Sequence, residues 1–212
     1  MKKFTLVMAL VFAATTFAEE ATRETAKETM LGIRTSLSLS SIAVKKSTHH
    51  NVKEINQVGF HAGFLADMNV IGPLYFQPGF MFAQKGGELE IKYPNPNFRD
   101  EIIYKTYYLE WPIMFALKIP LGESLDFAVN AGPYLGFGMF GKVIADEISQ
   151  INSFSSSVFK RFDYGVGFGG GLDFKSFYIG LNYNHGLAEI SQDKFNGDAY
   201  NRTIGIVLDN KF

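Results

Sequence analysis

The sequence predicts an all-β protein: an eight-stranded antiparallel up-and-down transmembrane β-barrel with a polar interior, short periplasmic turns and long external loops. Apolar and polar residues alternate with a period of two in eight segments of about 10–14 residues, a length that suits tilted bilayer crossings. The connections alternate between short and long. The 212 residues include 21 Phe, 10 Tyr and 21 Gly, a mixture that favours aromatic-rich strands with glycine kinks.

The first 18 residues are predicted to be a cleaved signal peptide. Lys2 and Lys3 precede a short apolar run over residues 4–14, which is too short to span a bilayer comfortably. Thr16-Phe17-Ala18 has the small-x-small form of a cleavage site, so we expect cleavage after Ala18. Residues 19–29 are a charged lead-in, and residues 30–212 are predicted to form the barrel domain.

Eight strands follow in order. They cover residues 31–40, 58–69, 74–85, 107–118, 125–137, 161–174, 177–186 and 202–212. The alternation is clearest in the sixth strand, where Phe162 and Phe168 share one face while Asp163, Gly165 and Asp173 share the other. The longest apolar run after the signal, residues 111–117, is far shorter than a spanning helix requires, so strands are the predicted crossing elements.

The connections fix the predicted orientation. The short ones are residues 69–73, 120–124 and 173–176, and the long polar ones are residues 41–57, 86–101, 141–160 and 187–201. With both termini on the periplasmic side, eight strands need three short turns and four long loops, as found. The even number closes the sheet, which matters because lipid offers no hydrogen-bond partner to an open strand edge.

The large apolar face is predicted to meet lipid. We expect this orientation for Trp111, Phe115, Phe127, Phe168, Phe174 and Phe177. Aromatic residues near both strand ends are predicted to form two girdles, with Phe76 near the periplasmic rim and Tyr104 and Tyr107 near the outer rim.

The opposite face carries charges of both signs. The predicted inward-facing ionic core comprises Arg34, His61, Asp67, Lys85, Glu110, Lys118, Asp126, Arg161, Asp163, Asp173, Asp209 and Lys211. Because side chains fill the interior of an eight-stranded barrel, these charges are expected to pair and fix its shape, with a proton or ion pathway as the alternative. Replacing Glu110 by Ala should cost about 3–5 kcal/mol if its partner is left unpaired in a dry site.

Other candidate sites have simpler explanations. The sequence Gly165-Val-Gly-Phe-Gly-Gly-Gly171 continues a strand instead of opening a helix, so it predicts no dinucleotide site. Adjacent His49 and His50 in a polar loop are expected to be solvated, and no metal or cofactor is predicted. The near balance of 20 basic and 21 acidic residues gives no footprint for nucleic acid, and the lack of Cys excludes disulfides and a cysteine-linked lipid.

Four segments resemble the PorT-like outer-membrane β-barrel domains, often called porin-family proteins. They are Pro73-Leu-Tyr-Phe-Gln-Pro-Gly-Phe-Met-Phe-Ala-Gln-Lys85, Tyr108-Leu-Glu-Trp-Pro-Ile-Met-Phe-Ala-Leu-Lys118, Gly132-Pro-Tyr-Leu-Gly-Phe-Gly138 and Tyr178-Ile-Gly-Leu-Asn-Tyr-Asn-His-Gly-Leu187. The resemblance implies a barrel without a catalytic set, and some relatives are implicated in protein secretion or gliding. Ile206, Leu208 and Phe212 are similar to the C-terminal signal read by the barrel-assembly machinery, and Trp111 stands where relatives commonly carry an aliphatic residue.

These observations predict a non-enzymatic protein in the outer membrane of a diderm bacterium, with a structural or surface-interaction role through residues 86–101 and 141–160. A narrow porin or an accessory of protein secretion or transport is the second hypothesis. A lipid-modifying enzyme using His185 with Glu189 and Ser191 is the third. The expected partners are outer-membrane lipid, the barrel-assembly machinery and an unidentified surface or secretion-system protein, but no nucleic acid.

Overall fold

The computed structural model describes residues 29–45, 52–92, 99–145, 149–154, 158–192 and 197–212. These residues form ten β-strands: β1 (Thr29–Lys45), β2 (Val52–Ile55), β3 (Gln57–Ile71), β4 (Leu74–Lys92), β5 (Arg99–Pro120), β6 (Asp126–Ala145), β7 (Ser149–Asn152), β8 (Phe162–Asp173), β9 (Phe177–Gly186) and β10 (Asp198–Lys211). No helix within the described ranges has the length and apolar character needed for a membrane crossing.

Eight of these strands close into an antiparallel barrel, which confirms the predicted fold class. Their order around the barrel is β1-β3-β4-β5-β6-β8-β9-β10. The first and last strands seal it, because β1 pairs with β10 from Gly32↔Lys211 to Lys45↔Asp198. All the cross-strand partners are thus provided by the sheet itself, which suits a medium without water.

The barrel has two unlike ends. At the turn end, short connections follow Ile71, Pro120 and Asp173, and Gly72 takes a positive φ of 51° in the first of them. The start of β1 and the end of β10 also lie at this end, where the backbones of Leu31 and Phe212 exchange two hydrogen bonds. The strand ends that border the longer connections lie at the opposite end, which we call the loop end.

Large apolar side chains cover the outer wall. The side chains of Trp111, Phe115, Phe127, Phe168, Phe174 and Phe177 are exposed there by 39–51%. Ile206, Leu208 and Phe212 are also exposed on β10 or just after it. The prediction that Tyr104 lies in the outer girdle is wrong. Its side chain is buried in the interior, because it shares the inward alternation of Thr106 and Tyr108 on β5.

The predicted long loops begin later than the sequence pattern indicated. Pairing between β4 and β5 continues to Lys92↔Arg99, and pairing between β5 and β6 continues to Ile102↔Ala145. Short strands β2 and β7 then pair with β4 and β6 respectively. The result is a five-stranded projection in the order β2-β4-β5-β6-β7, which we call the loop-end sheet.

Candidate functional site

The turn end of the interior is crossed by a ring of four charges, the lower layer, formed by Asp67, Lys118, Asp173 and Lys211. Lys118 Nζ lies 2.5 Å from Asp67 Oδ2 and 2.9 Å from Asp173 Oδ2. Lys211 Nζ lies 3.0 Å from Asp67 Oδ2 and 2.7 Å from Asp173 Oδ1. Each ammonium contacts both carboxylates, so the charges alternate and cancel. Because the four residues come from β3, β5, β8 and β10, the ring joins every second strand across the lumen.

Above this ring, Arg34 and Asp209 form a bidentate ion pair between the neighbouring strands β1 and β10. Arg34 Nε donates to Asp209 Oδ1 and Arg34 Nη2 donates to Asp209 Oδ2, each at 2.7 Å. This fork geometry fixes both side chains and leaves the pair electrically neutral.

A second ionic cluster, the upper layer, is centred on Lys85 of β4. Its ammonium contacts the carboxylate of Glu110 and lies 3.1 Å from Asp163 Oδ2. It also lies 4.4 Å from the centroid of the Tyr134 ring. Glu110 in turn has Oε2 3.6 Å from His61 Nε2. One lysine therefore serves two buried carboxylates, and this makes it the least replaceable charge of the cluster.

Two predicted members of the ionic core lie apart from these clusters. Asp126 is half-buried at the turn end of β6, opposite Asp173 in the strand register. Arg161 is exposed just before β8 begins. Its guanidinium Nη1 donates to the carbonyl oxygens of Gly138 and Met139, so it secures the loop end instead of lining the interior.

A small cavity of ≈ 50 Å³ with a mixed polar and apolar lining lies in the interior beside the upper layer. Its polar lining includes Arg34, Ser36, His61, Glu110, Asn130 and Asn182. The volume is far below the roughly 300 Å³ at which pockets for organic ligands begin, so the cavity cannot hold a nutrient-sized molecule.

The loop end is closed by an apolar cap built from Phe154, Phe159 and Ile190. The Phe154 ring packs edge-on against Tyr108 at 5.6 Å, and the Phe159 ring lies 5.1 Å from that of Tyr104. Backbone hydrogen bonds hold the two contributing segments together, including Lys160 N to Ile190 O at 2.7 Å. The cap joins a larger buried cluster that extends to β1, β4 and β10.

Sequence reasoning missed this cap because it treated residues 141–160 and 187–201 as long polar loops, and the first of them as a contact surface. The isolated rings of Phe154 and Phe159 within a polar segment were the available signal. Gly138 is the local reason that the cap fits, since a Cβ at this position would collide with the Phe154 ring. Ser153 is fully buried beside it.

The candidate catalytic and metal-binding residues show other contacts. His185 Nδ1 lies 2.9 Å from the Tyr183 hydroxyl, whereas Ser191 Oγ donates to Glu189 Oε1 at 3.0 Å. Ser191 is 2% exposed. His49 and His50 lie outside the described residues, and the described ranges contain no group of three or more acidic or histidine side chains suited to a metal.

Comparisons with known proteins identify the family. The family model described as outer membrane protein beta-barrel domain matches residues 17–192. No curated protein matches the sequence. Among solved structures, OprG from Pseudomonas aeruginosa is 10% identical with a TM-score of 0.49, over 88% of this chain and 97% of that one. Neisserial surface protein A is 11% identical with a TM-score of 0.48, over 86% of this chain and 97% of that one. Ail of Yersinia pestis, in complex with a heparin analogue, is 15% identical with a TM-score of 0.43, over 87% of this chain and 99% of that one.

The family match spans most of the sequence and agrees with the closed ring of strands and the apolar outer wall. The chain belongs to the outer membrane protein β-barrel domain family, and the outer membrane is its location.

Proposed function

We propose that this protein is a non-enzymatic, non-conducting scaffold that presents its loop-end sheet at the cell surface. The observation that carries the proposal is the lower layer, in which four charges pair with each other across the lumen. Ions paired at 2.5–3.0 Å leave no free carboxylate or ammonium to exchange with a permeating ion.

Two further barriers support a closed lumen. The upper layer again pairs its buried charges, and the apolar cap covers the loop end above it. A permeating ion would have to break both ionic layers and then pass a dry constriction.

The loop-end sheet supports a role in surface contact. It is a paired projection, so a partner would meet an ordered surface and would not first have to order a loop. Charged side chains such as Lys53, Glu54 and Glu101 lie exposed on it. Residues 93–98, within the predicted contact segment 86–101, lie outside the described residues.

Conductance in planar bilayers tests the scaffold against a pore. We expect the purified protein to insert without steady openings. The variant Phe154→Ala/Phe159→Ala removes the cap alone and should also stay silent, because both ionic layers remain. Steady openings of the parent protein would contradict the proposal and would favour the narrow-porin hypothesis.

The alternatives have their own tests. A PorT-like accessory role in secretion is a finer identity that rests on the four segments resembling that family, and loss of an exported protein from the medium on gene deletion would favour it. For the enzyme hypothesis, the contacts of His185 and the burial of Ser191 argue against a nucleophile–base pair. We expect outer-membrane lipid mass spectra that do not change with His185→Ala, and a dependence on His185 would overturn the non-enzymatic assignment.

A further inference from the structure

Two lysines lie directly opposite each other on the outer wall of the barrel. Lys105 of β5 and Lys142 of β6 are cross-strand partners, and both side chains are exposed. Like charges in directly opposite positions of a sheet repel each other. The pair is therefore unfavourable for folding unless something anionic neutralises it.

The protein itself supplies no such anion among its described residues. No carboxylate of these residues forms an ion pair with either ammonium, including Glu88, which lies diagonally across from Lys105 on β4. Glu101, the next carboxylate on the same face of β5, is four residues or about 14 Å further along the strand.

The two lysines mark the edge of the apolar band. From Ile119 to Tyr107, the outward positions of β5 carry no charge, and the same holds for β6 from Phe127 to Phe140. At about 3.4 Å per residue and a tilt of about 40°, the twelve steps from Ile119 to Tyr107 span about 31 Å along the membrane normal. Lys105 and Lys142 thus lie at the level of the lipid headgroups in the leaflet at the loop end.

Aromatic rings form a platform just below the lysines. The Tyr107 ring stacks on Phe140 at 4.7 Å and on Phe82 at 5.8 Å. A depression of ≈ 490 Å³ is lined by Lys105 and Lys142, by Tyr107 and Phe140 of this platform, and by Gly141 and Ile144. It is cationic at the top and apolar at the base, which is the polarity of an acidic lipid in its membrane orientation.

We propose that Lys105 and Lys142 bind a phosphate group on the headgroup of an outer-leaflet phosphoglycolipid, with the acyl chains running down the wall past Tyr107 and Phe140. The assignment rests on the proposed orientation, in which the loop end faces the cell exterior. Two ammonium groups at the membrane surface supply charge complementarity, and the aromatic platform supplies contact with the upper part of the chains.

Trp111 provides a direct probe of the lipid that occupies this wall. It is the single Trp of the sequence, and it is exposed on β5 six residues below Lys105. An acyl chain brominated near its middle will quench its fluorescence when the lipid is held by the lysines above. Quenching can be compared in phosphatidylcholine vesicles that contain brominated diphosphoryl lipid A, its brominated dephosphorylated form or brominated phosphatidylglycerol.

We expect the parent protein to prefer the phosphorylated glycolipid over its dephosphorylated form by about tenfold or more. Lys105→Gln/Lys142→Gln should abolish that preference, and Lys105→Arg/Lys142→Arg should retain it. The matched control Lys160→Gln/Lys175→Gln removes the same charge from exposed positions elsewhere and should also retain it. A gel-mobility shift on boiling verifies folding of each variant.

Several results would overturn the assignment. They are an equal preference in the parent and the Lys105→Gln/Lys142→Gln variant, an equal loss in the two Gln double variants, or full competition by free inorganic phosphate. A stronger preference for phosphatidylglycerol would place the lysines in the inner leaflet and reject the orientation. None of these results depends on conductance, so this inference and the closed lumen fail separately.

Discussion

Replacing Lys85 by Met should be the most damaging single charge removal in the upper layer. Its ammonium is the partner of both Glu110 and Asp163, and all three side chains are buried. Met has nearly the volume of Lys without its charge, so the change creates little cavity. It leaves two buried carboxylates without their counterion.

The size of the effect follows from what remains around each carboxylate. Asp163 keeps a hydrogen bond from Asn201 Nδ2 at 2.9 Å, whereas Glu110 keeps only His61 at 3.6 Å among the residues that the structure describes. Removing one partner of a buried ion pair costs about 3–5 kcal/mol. At a urea m-value of about 2 kcal/mol/M, a loss of 4 kcal/mol lowers the unfolding midpoint by about 2 M.

Equilibrium urea unfolding in lipid vesicles, followed by the gel-mobility shift of the folded barrel, measures this loss. The triple variant Lys85→Met/Glu110→Gln/Asp163→Asn should recover most of the stability, because a neutral network needs no counterion. Lys160→Met, at an exposed pair with Glu189, should stay within about 1 kcal/mol of the parent. A Lys85→Met midpoint equal to that of the parent, or a triple variant less stable than the single one, would refute the electrostatic reasoning.

Three other predictions, two of them with a matched control variant, probe the interior, the outer wall and the strand contacts by the same unfolding measurement. Glu110→Ala should cost about 1–3 kcal/mol, less than Lys85→Met, because Lys85 keeps Asp163; an equal or larger loss would contradict this ranking. Phe168→Arg should cost about 2–4 kcal/mol near the bilayer midplane and Phe162→Arg, at the rim, about 1 kcal/mol or less; equal costs would mean that Phe168 does not face lipid. Gly63→Ala should cost about 1–3 kcal/mol because its Cβ meets the backbone of β4 with Met81 Cα at 2.8 Å, while Gly122→Ala, in open space, should leave the midpoint unchanged.

The barrel was predictable because its rules are local. A period of two determines which side chains share a face, and closure in lipid requires an even number of paired strands. The same alternation placed Lys85, Glu110 and Asp163 on one face, but it carries no information on partners. Which charge meets which depends on the stagger between strands, so the double role of Lys85 became visible only in the structure.

The loop end was less predictable for physical reasons. The extensions of β4 and β5 read as loop because charged residues are frequent in them, as at Glu90↔Glu101, although the buried Leu89 between Glu88 and Glu90 keeps the alternation. The cap depends on contacts between residues far apart in sequence, such as Tyr104 with Phe159. Arg161 continues the inward alternation of β8 but lies beyond the strand end, where a side chain can turn to backbone carbonyls instead.

The charges in the barrel interior and the charges on the outer wall have different roles. A buried charge needs a counterion, because burying it alone costs too much free energy. The lower layer is neutral as a group, and so is the Arg34–Asp209 pair, so these charges stabilise the barrel and leave no net charge to bind a ligand. Exposed charges stay hydrated, so two lysines can lie opposite each other on the outer wall at a modest cost until an anionic ligand neutralises them. Interior and outer-wall variants should therefore separate: Lys85→Met should lose stability and keep its lipid preference, whereas Lys105→Gln/Lys142→Gln should keep stability and lose the preference. If both variants lost both stability and lipid preference, lipid binding would be coupled to the barrel interior. That result would contradict a lysine pair that acts at the surface alone.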